Sequence, residues 1–227
     1  MPCTVAKHAG FCMGVRQAVE KAERAAAQAQ ERGIPCYSLG EVVHNPLVTS
    51  RLRQLGVQVV ERVEDARGGL LILRSHGVAP QVLSACRENG VDYVDCTCAR
   101  VRALHERAAA YSAGGLPVVL VGDGEHPEVR GTAGWCQGPV YTVYTAEDVA
   151  ALPPLPRALV ASQTTLPMER WQALLPALRA RISQPDFYCS ICAATRVRQQ
   201  AARGACHCLR PHDRGRRAAK RQHAQAV

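Results

Sequence analysis

Val91-Asp92-Tyr93-Val94-Asp95-Cys96-Thr97-Cys98 decides how the rest of the chain is read. Val91 to Val94 reads as a strand, and it ends in a Cys-X-Cys corner. Such a corner holds a thiol rigidly at the carboxyl edge of a sheet, where parallel α/β folds keep their chemistry. Two further cysteines have comparable settings: Cys12 in Gly10-Phe11-Cys12-Met13-Gly14-Val15, and Cys192 in Cys189-Ser190-Ile191-Cys192-Ala193-Ala194-Thr195. Both stand just before a helical pattern. Three such thiols spread over the chain suggest one metal centre gathered from several parts of a fold.

The surrounding chain supplies strands and helices in alternation. Val15, Ala18, Val19, Ala22, Ala25 and Ala26 recur at helical spacing within residues 14–32, and Gly33 ends the run. Cys36 to Leu39 is a strand, Pro46 opens a helix through Leu55, and Val57 to Val60 is a strand. Leu70 to Leu73 is a four-residue apolar run fit for a buried parallel strand. A helix over Pro80 to Asn89 follows and returns to the Cys-X-Cys corner. The pattern then repeats: a helix over 101–113, a strand over 117–121, a short helix or turn reaching Trp135, and a strand over 140–143. A short helix over 146–150, a strand over 158–161 and a helix over 168–182 complete it. Strand, loop and helix in repetition predict an α/β fold with parallel sheets.

The polar residues stand at one kind of place. His44, His76, Cys98, His126 with Glu128, and Gln163 with Thr164 all lie just beyond strand ends. In parallel α/β proteins those edges face one crevice. A single strand-end histidine is more often a local hydrogen-bonding residue; five clusters in the same register point to a shared site.

Composition narrows the class. The 227 residues can bury a real core in one or two domains. An aromatic share of 4% leaves that core to Val, Leu, Ile and Ala. No apolar run has the length of a membrane span, and the first residues lack a secretory pattern, so a cytoplasmic protein without a membrane partner is expected. In that compartment 11 cysteines argue against a disulfide framework; Cys36 and Cys86 fit buried small hydrophobes. The net charge of +9 is concentrated in the tail. From Gly204 onward Arg210, Arg214, Arg216, Arg217, Lys220 and Arg221 oppose Asp213 alone. The body is mildly basic, and nucleic acid is not expected as a partner.

On the residues alone several chemistries stay open. Cys96 and Cys98 with Cys189 and Cys192 supply four zinc ligands, but at a separation far beyond a zinc ribbon's. An iron–sulfur cluster tolerates wide separation, and three cysteines would leave one iron open to substrate. Histidines on loops beside helix starts suit a phosphate or diphosphate. The physical reading is a metal site next to an anion site.

Seven strings in order then carry a resemblance: Ala9-Gly10-Phe11-Cys12-Met13-Gly14-Val15, Glu41-Val42-Val43-His44-Asn45-Pro46, Ser75-His76-Gly77-Val78, Asp95-Cys96-Thr97-Cys98, Gly122-Asp123-Gly124-Glu125-His126-Pro127-Glu128-Val129-Arg130-Gly131, Gln163-Thr164-Thr165-Leu166 and Ile191-Cys192-Ala193-Ala194-Thr195. Together they resemble the 4-hydroxy-3-methylbut-2-enyl diphosphate reductase family, oxidoreductases of the methylerythritol phosphate route to isoprenoids. The match runs to about Arg203. The resemblance implies a [4Fe–4S] cluster at the centre of a three-domain trefoil, with ligands at Cys12, Cys98 and Cys192. Cys96 and Cys189 fall on positions that are not ligands, which implies packing roles. It implies diphosphate binding by His44, His76 and His126, substrate contact by Thr164, and proton delivery by Glu128. The implied reaction is reductive dehydroxylation to isopentenyl and dimethylallyl diphosphate, with electrons from a ferredoxin or flavodoxin.

The chain departs from the family at Ala99 and Arg100, where a proline and an apolar residue are usual, and at His8, where a small polar residue is common. Its largest departure is the end. Residues 204–227 show no apolar periodicity, no strand and no Ser-X-Asn loop. Shifting the reading frame by one nucleotide, with freely chosen codons, permits a strand, a Gly-Gly turn and a Ser-X-Asn motif. A frameshift near Arg203 is therefore expected, with Cys206-His207-Cys208 an accident of it, and a chain ending this way is expected to be crippled in turnover. The expected division is a first α/β domain over 13–97, a second over 98–190, a third-domain remnant from 1–12 and 191–203, and a disordered basic tail over 204–227. The competing reading is a cluster- or zinc-binding regulatory module whose basic tail contacts nucleic acid.

Overall fold

Leu70-Leu71-Ile72-Leu73 is apolar on both faces, as a strand covered by helices from two sides requires, and all four residues are buried. A computed structural model, describing Val5 and residues 8–207, places this strand inside a four-stranded sheet. The elements of the first half are α1 (Met13–Glu31), β1 (Cys36–Leu39), α2 (Pro46–Gln54), β2 (Val57–Val60), β3 (Leu70–Leu73), α3 (Pro80–Glu88) and β4 (Asp92–Asp95), with a 3-10 turn at Val63–Ala66. Those of the second are α4 (Ala99–Ser112), β5 (Val118–Val121), α5 (Pro127–Gly134), β6 (Val140–Val143), α6 (Ala146–Ala151), β7 (Leu155–Ser162), α7 (Met168–Arg181), β8 (Ile182–Tyr188) and α8 (Ala193–His207).

The two sheets have corresponding orders, β2-β1-β3-β4 and β6-β5-β7-β8, and every pairing in them is parallel. The repeated sequence pattern is thus a repeated architecture. α1 lies on the first sheet through Ala18, Ala22, Ala25, Ala26 and Ala29, whose small side chains allow close approach to Cys36 and Ile72. α3 covers the other face with Cys86, Val82 and Leu83. The second sheet is covered by Trp171, Leu174 and Leu178 of α7 on one side. Leu104 and Ala108 of α4 and Val129 of α5 cover the other. Each such Leu or Val withdrawn from water contributes about 1.5–3 kcal/mol.

Parallel strands put every carboxyl end of a sheet on one edge. Leu39, Leu73 and Asp95 end strands on the first sheet's edge, and Val121, Ser162 and Tyr188 on the second's. The segments leaving those six residues carry six of the seven motifs, and the seventh, with Cys12, leads into α1.

Three elements differ from expectation. β8 is absent from the sequence reading, because Ser183, Gln184, Pro185 and Asp186 break the apolar run. β8 is an edge strand that pairs with β7, where a proline lacking its N–H is tolerated. The α7 helix stops at Arg181, so Ile182, expected as its last residue, instead opens β8. β7 begins at Leu155, three residues before the expected start. Of the tail over 204–227, residues 204–207 continue α8, and residues 208–227 lie outside the described residues. No described helix is long and apolar enough to cross a membrane.

Candidate active site

Each of the three singled-out cysteines immediately precedes a helix: Cys12 precedes α1, Cys98 precedes α4 and Cys192 precedes α8. A helix start presents unpaired N–H groups, and two of the sulfurs accept one. Val15 N–H donates to Cys12 Sγ at 3.4 Å and Thr195 N–H to Cys192 Sγ at 3.3 Å. Cys98 lies against α1 at Gly14. A Cβ added there would stand 2.6 Å from Cys98 Sγ and 3.9 Å from Cys12 Sγ. Glycine at 14 therefore leaves the space that the Cys98 sulfur occupies, with the Cys12 sulfur at its edge.

Cys96 is different in kind. It is buried in the first core, and burial pushes its thiol up to about 12. Burial likewise raises Cys36 and Cys86. These are packing residues, whereas Cys189 is exposed. Among the described residues no three His, Cys, Asp or Glu side chains converge closely enough to chelate a single ion. A cluster of several irons takes its thiolates from positions spread around a larger body. The sulfurs at helix starts and the vacant Cβ position of Gly14 fit such a group.

Three histidines from three strand-end loops meet ring to ring. His44 stacks on His76 with centroids 4.2 Å apart, and His126 stands edge-on to both at 5.6 Å. His126 caps α5, its Nδ1 accepting the Glu128 N–H at 3.1 Å, which leaves Nε2 to carry the proton in the neutral ring. His76 Nδ1 is buried with no hydrogen-bond partner among the described residues. Burial first, then repulsion from His44, His126 and Arg74, lowers His76 to about 3. Burial is also the main cause lowering His126, with His44 and Arg74 adding to it and Asp123 opposing. Burial holds His76 and His126 toward the neutral form beside the Arg74 guanidinium, a setting that suits an anion, while the Glu41 carboxylate lies 3.5 Å from His44 Nδ1 on the more exposed side.

Arg74 is the residue the sequence reading passed over, although it stands in the string Arg74-Ser75-His76-Gly77. Its guanidinium packs against Gly40, with Nη1 only 3.1 Å from where a Cβ there would be. Its Nε is buried without a partner among the described residues.

Glu128 is 2% exposed. Thr164 N–H donates to its Oε1 at 2.6 Å and the Thr164 hydroxyl to its Oε2 at 2.7 Å. Burial raises the carboxyl and outweighs the opposing effect of the two Thr164 bonds. A carboxyl so placed holds its proton further toward neutral pH than an exposed one does, which suits a general acid.

Hydrogen bonds and contacts join these groups in sequence. Cys98 N–H donates to Ser75 C=O at 3.0 Å, beside His76. His76 touches His126, which caps the helix bearing Glu128. Glu128 binds Thr164, and Thr164 C=O accepts the Cys192 N–H at 3.0 Å. Arg198 of α8 donates to Gly10 C=O at 2.6 Å, tying the helix after Cys192 to the segment before Cys12. Gln163 Oε1 accepts the Asp123 N–H at 3.2 Å and braces two strand-end loops of the second sheet. The eight singled-out residues thus lie along one connected path.

One titration follows from the packing around the site. His105 of α4 is 3% exposed. Burial first lowers it to about 4, with Arg102 adding and Asp95 opposing. A histidine held neutral in the fold contributes stability that is complete above its unfolded value near 6.5. That contribution is lost as pH falls toward about 4, at up to ~1.4 kcal/mol per pH unit. His105→Phe keeps an aromatic ring on Trp135 and removes this proton. Urea midpoints compared between pH 7 and pH 5 should therefore fall less steeply in the variant. Equal slopes would refute the buried neutral ring.

Fold and geometry define a class: a parallel α/β protein whose strand-end loops bring three histidines together and which sets Cys12, Cys98 and Cys192 each at a helix start. Comparison with known proteins gives the family. Residues 3–208 match the model of the LytB protein family, and the chain belongs to that family. It is 37% identical over 205 residues to the 4-hydroxy-3-methylbut-2-enyl diphosphate reductase of Caldanaerobacter subterraneus, with 89% of this chain and 70% of that protein covered. It is 39% identical over 213 residues to the same-named protein of Citrifermentans bemidjiense, covering 92% and 74%. Among solved structures, one described as (E)-4-hydroxy-3-methyl-but-2-enyl diphosphate reductase, the terminal enzyme of the non-mevalonate pathway, superposes with a TM-score of 0.76 at 36% identity, covering 87% of this chain and 70% of that one. A reductase from Plasmodium falciparum superposes at 0.78 with 28% identity, covering 84% and 61%.

Proposed function

We propose that this chain is an iron–sulfur reductase that converts 4-hydroxy-3-methylbut-2-enyl diphosphate to isopentenyl and dimethylallyl diphosphate. The connected path from Cys98 through the three histidines to Glu128, Thr164 and Cys192 carries this reading. Names borne by relatives at 37% and 39% identity support it.

Cys12, Cys98 and Cys192 are the residues to hold a [4Fe–4S] cluster, which would supply a Lewis-acidic position for the substrate hydroxyl and the route for single electrons. The remaining work falls to the protein. His44, His76 and His126 bind the diphosphate, whose charge offsets the cost of protonating His76 and His126, which burial holds toward the neutral form. Arg74 adds a fixed positive charge behind them. Glu128 gives its proton to the departing hydroxyl, which leaves as water. The Thr164 hydroxyl, in contact with Glu128, orients that carboxyl and contacts the substrate. In balance, the allylic alcohol takes up two electrons and two protons, the C–O bond breaks, one C–H bond forms and water departs. A low-potential one-electron protein such as a ferredoxin or flavodoxin is a donor that suits a route passing electrons singly.

The two sheets correspond in this reading to domains over 13–97 and 98–190, with 1–12 and 191–203 belonging to a third. A soluble cytoplasmic setting suits a small charged substrate and reduced thiols. The competing zinc module is separated by iron and acid-labile sulfide analysis of anaerobically purified full-length chain, with electron paramagnetic resonance after reduction. About four irons and four sulfides per chain with a cluster signal are expected. Bound zinc without sulfide would overturn the reading.

A further inference from the structure

His76 and His126 come from different sheets, yet diphosphate recognition needs their separation fixed. α5 is the element common to both. Its N-cap is His126 and its first turn holds Glu128. Its flank receives the loop after His76. A Cβ at Gly131 would stand 3.4 Å from Gly77 O, and one at Gly134 would overlap the Ala79 side chain. These glycines, three residues apart, lie on one face of α5 and bring loop and helix together almost backbone to backbone.

Two aromatic rings lock that contact. Trp135 Nε1–H donates to Val78 C=O at 2.9 Å. His105 of α4 stacks on Trp135 with centroids 5.5 Å apart and 22° between planes. The His105 ring fills the place a Cβ on Gly77 would take, and Gly77 has a φ of +76°, a conformation that favours glycine. His105 Nε2 has no partner among the described residues, and the proposed chemistry makes no use of the ring. Packing alone would be satisfied by an aliphatic side chain at either position. A donor aimed at the backbone two residues past His76 constrains the loop more tightly.

We infer that Gly131, Gly134, Trp135 and His105 form a joint that sets His76 against His126 at the spacing a bound diphosphate requires. The inference rests on the diphosphate reading of the histidines. The four are positioning residues and touch no substrate.

The test is calorimetric titration of cluster-reconstituted full-length chain with inorganic diphosphate, read beside thermal melting. Unsubstituted chain should bind. Gly134→Ala, which pushes the loop off α5, should weaken binding by about tenfold, or ~1.4 kcal/mol. Ala79→Gly removes the opposing methyl, and the Ala79→Gly/Gly134→Ala pair should recover affinity to within about twofold. Trp135→Phe keeps the ring stack and removes one hydrogen bond, with about a tenfold loss expected; it carries the test if Gly134→Ala does not fold. Undiminished affinity in folded Gly134→Ala and Trp135→Phe, with only the melting temperature lowered, would overturn the joint. No binding by the unsubstituted chain would instead sink the diphosphate reading, and the joint with it.

Discussion

Glu128→Gln is expected to lower turnover by about 10²–10⁴-fold, the range a positioned general acid supplies, while leaving cluster absorbance intact. The substitution is nearly isosteric. Burial already favours the uncharged carboxyl at this position, so a neutral amide adds little desolvation cost. The amide oxygen still accepts the Thr164 N–H, and the Thr164 hydroxyl turns to accept from the amide nitrogen. What disappears is the transferable proton. Because Glu128 touches none of the cysteine sulfurs through its own hydrogen bonds, iron content should stay at the level of the unsubstituted chain. Loss of the cluster in this variant would move Glu128 to a structural role. Retained turnover would place the proton donor elsewhere.

Gly14→Ala should have a comparably large effect on a different quantity. Alanine is favoured over glycine inside a helix by about 1 kcal/mol, and Gly14 has α1 on both sides of it in the helix's first turn. On helix propensity alone the variant should melt no lower than the unsubstituted chain. The new methyl, however, would stand 2.6 Å from Cys98 Sγ, closer than packed atoms allow. The Cys98 sulfur must shift away from residue 14, and a sulfur moved from its place would no longer serve as a ligand. Reconstitution with iron and sulfide should therefore leave the variant folded by circular dichroism and nearly colourless. Full iron uptake would show that the space beside Gly14 has no part in holding a cluster.

The sequence was most legible where periodicity and chemistry agreed. Leu70 to Leu73 admits few readings other than a buried strand, and His44, His76 and His126 could be placed in one register from strand ends alone. β8 was illegible because its polar residues and Pro185 suit an edge strand, and an edge depends on what the neighbouring strand leaves open. Gly14, Gly131 and Gly134 were illegible for another reason. A glycine inside a helix looks like a small weakness until the residue facing it is known: Cys98 in one case, the loop after His76 in the others. His105 and Trp135 belong with them, since their meaning lies in a loop 20 to 60 positions earlier in the chain.

Conversion is the most direct test of the central claim. Anaerobically reconstituted full-length chain, with a low-potential one-electron donor, is given 4-hydroxy-3-methylbut-2-enyl diphosphate and the products are separated by mass spectrometry. The account predicts isopentenyl and dimethylallyl diphosphate from the unsubstituted chain, formed at the reduced turnover that the departure of residues 204–227 from the family pattern leads one to expect, and a loss of both in Glu128→Gln. Substrate recovered unchanged from a protein whose cluster is filled and reducible would contradict it.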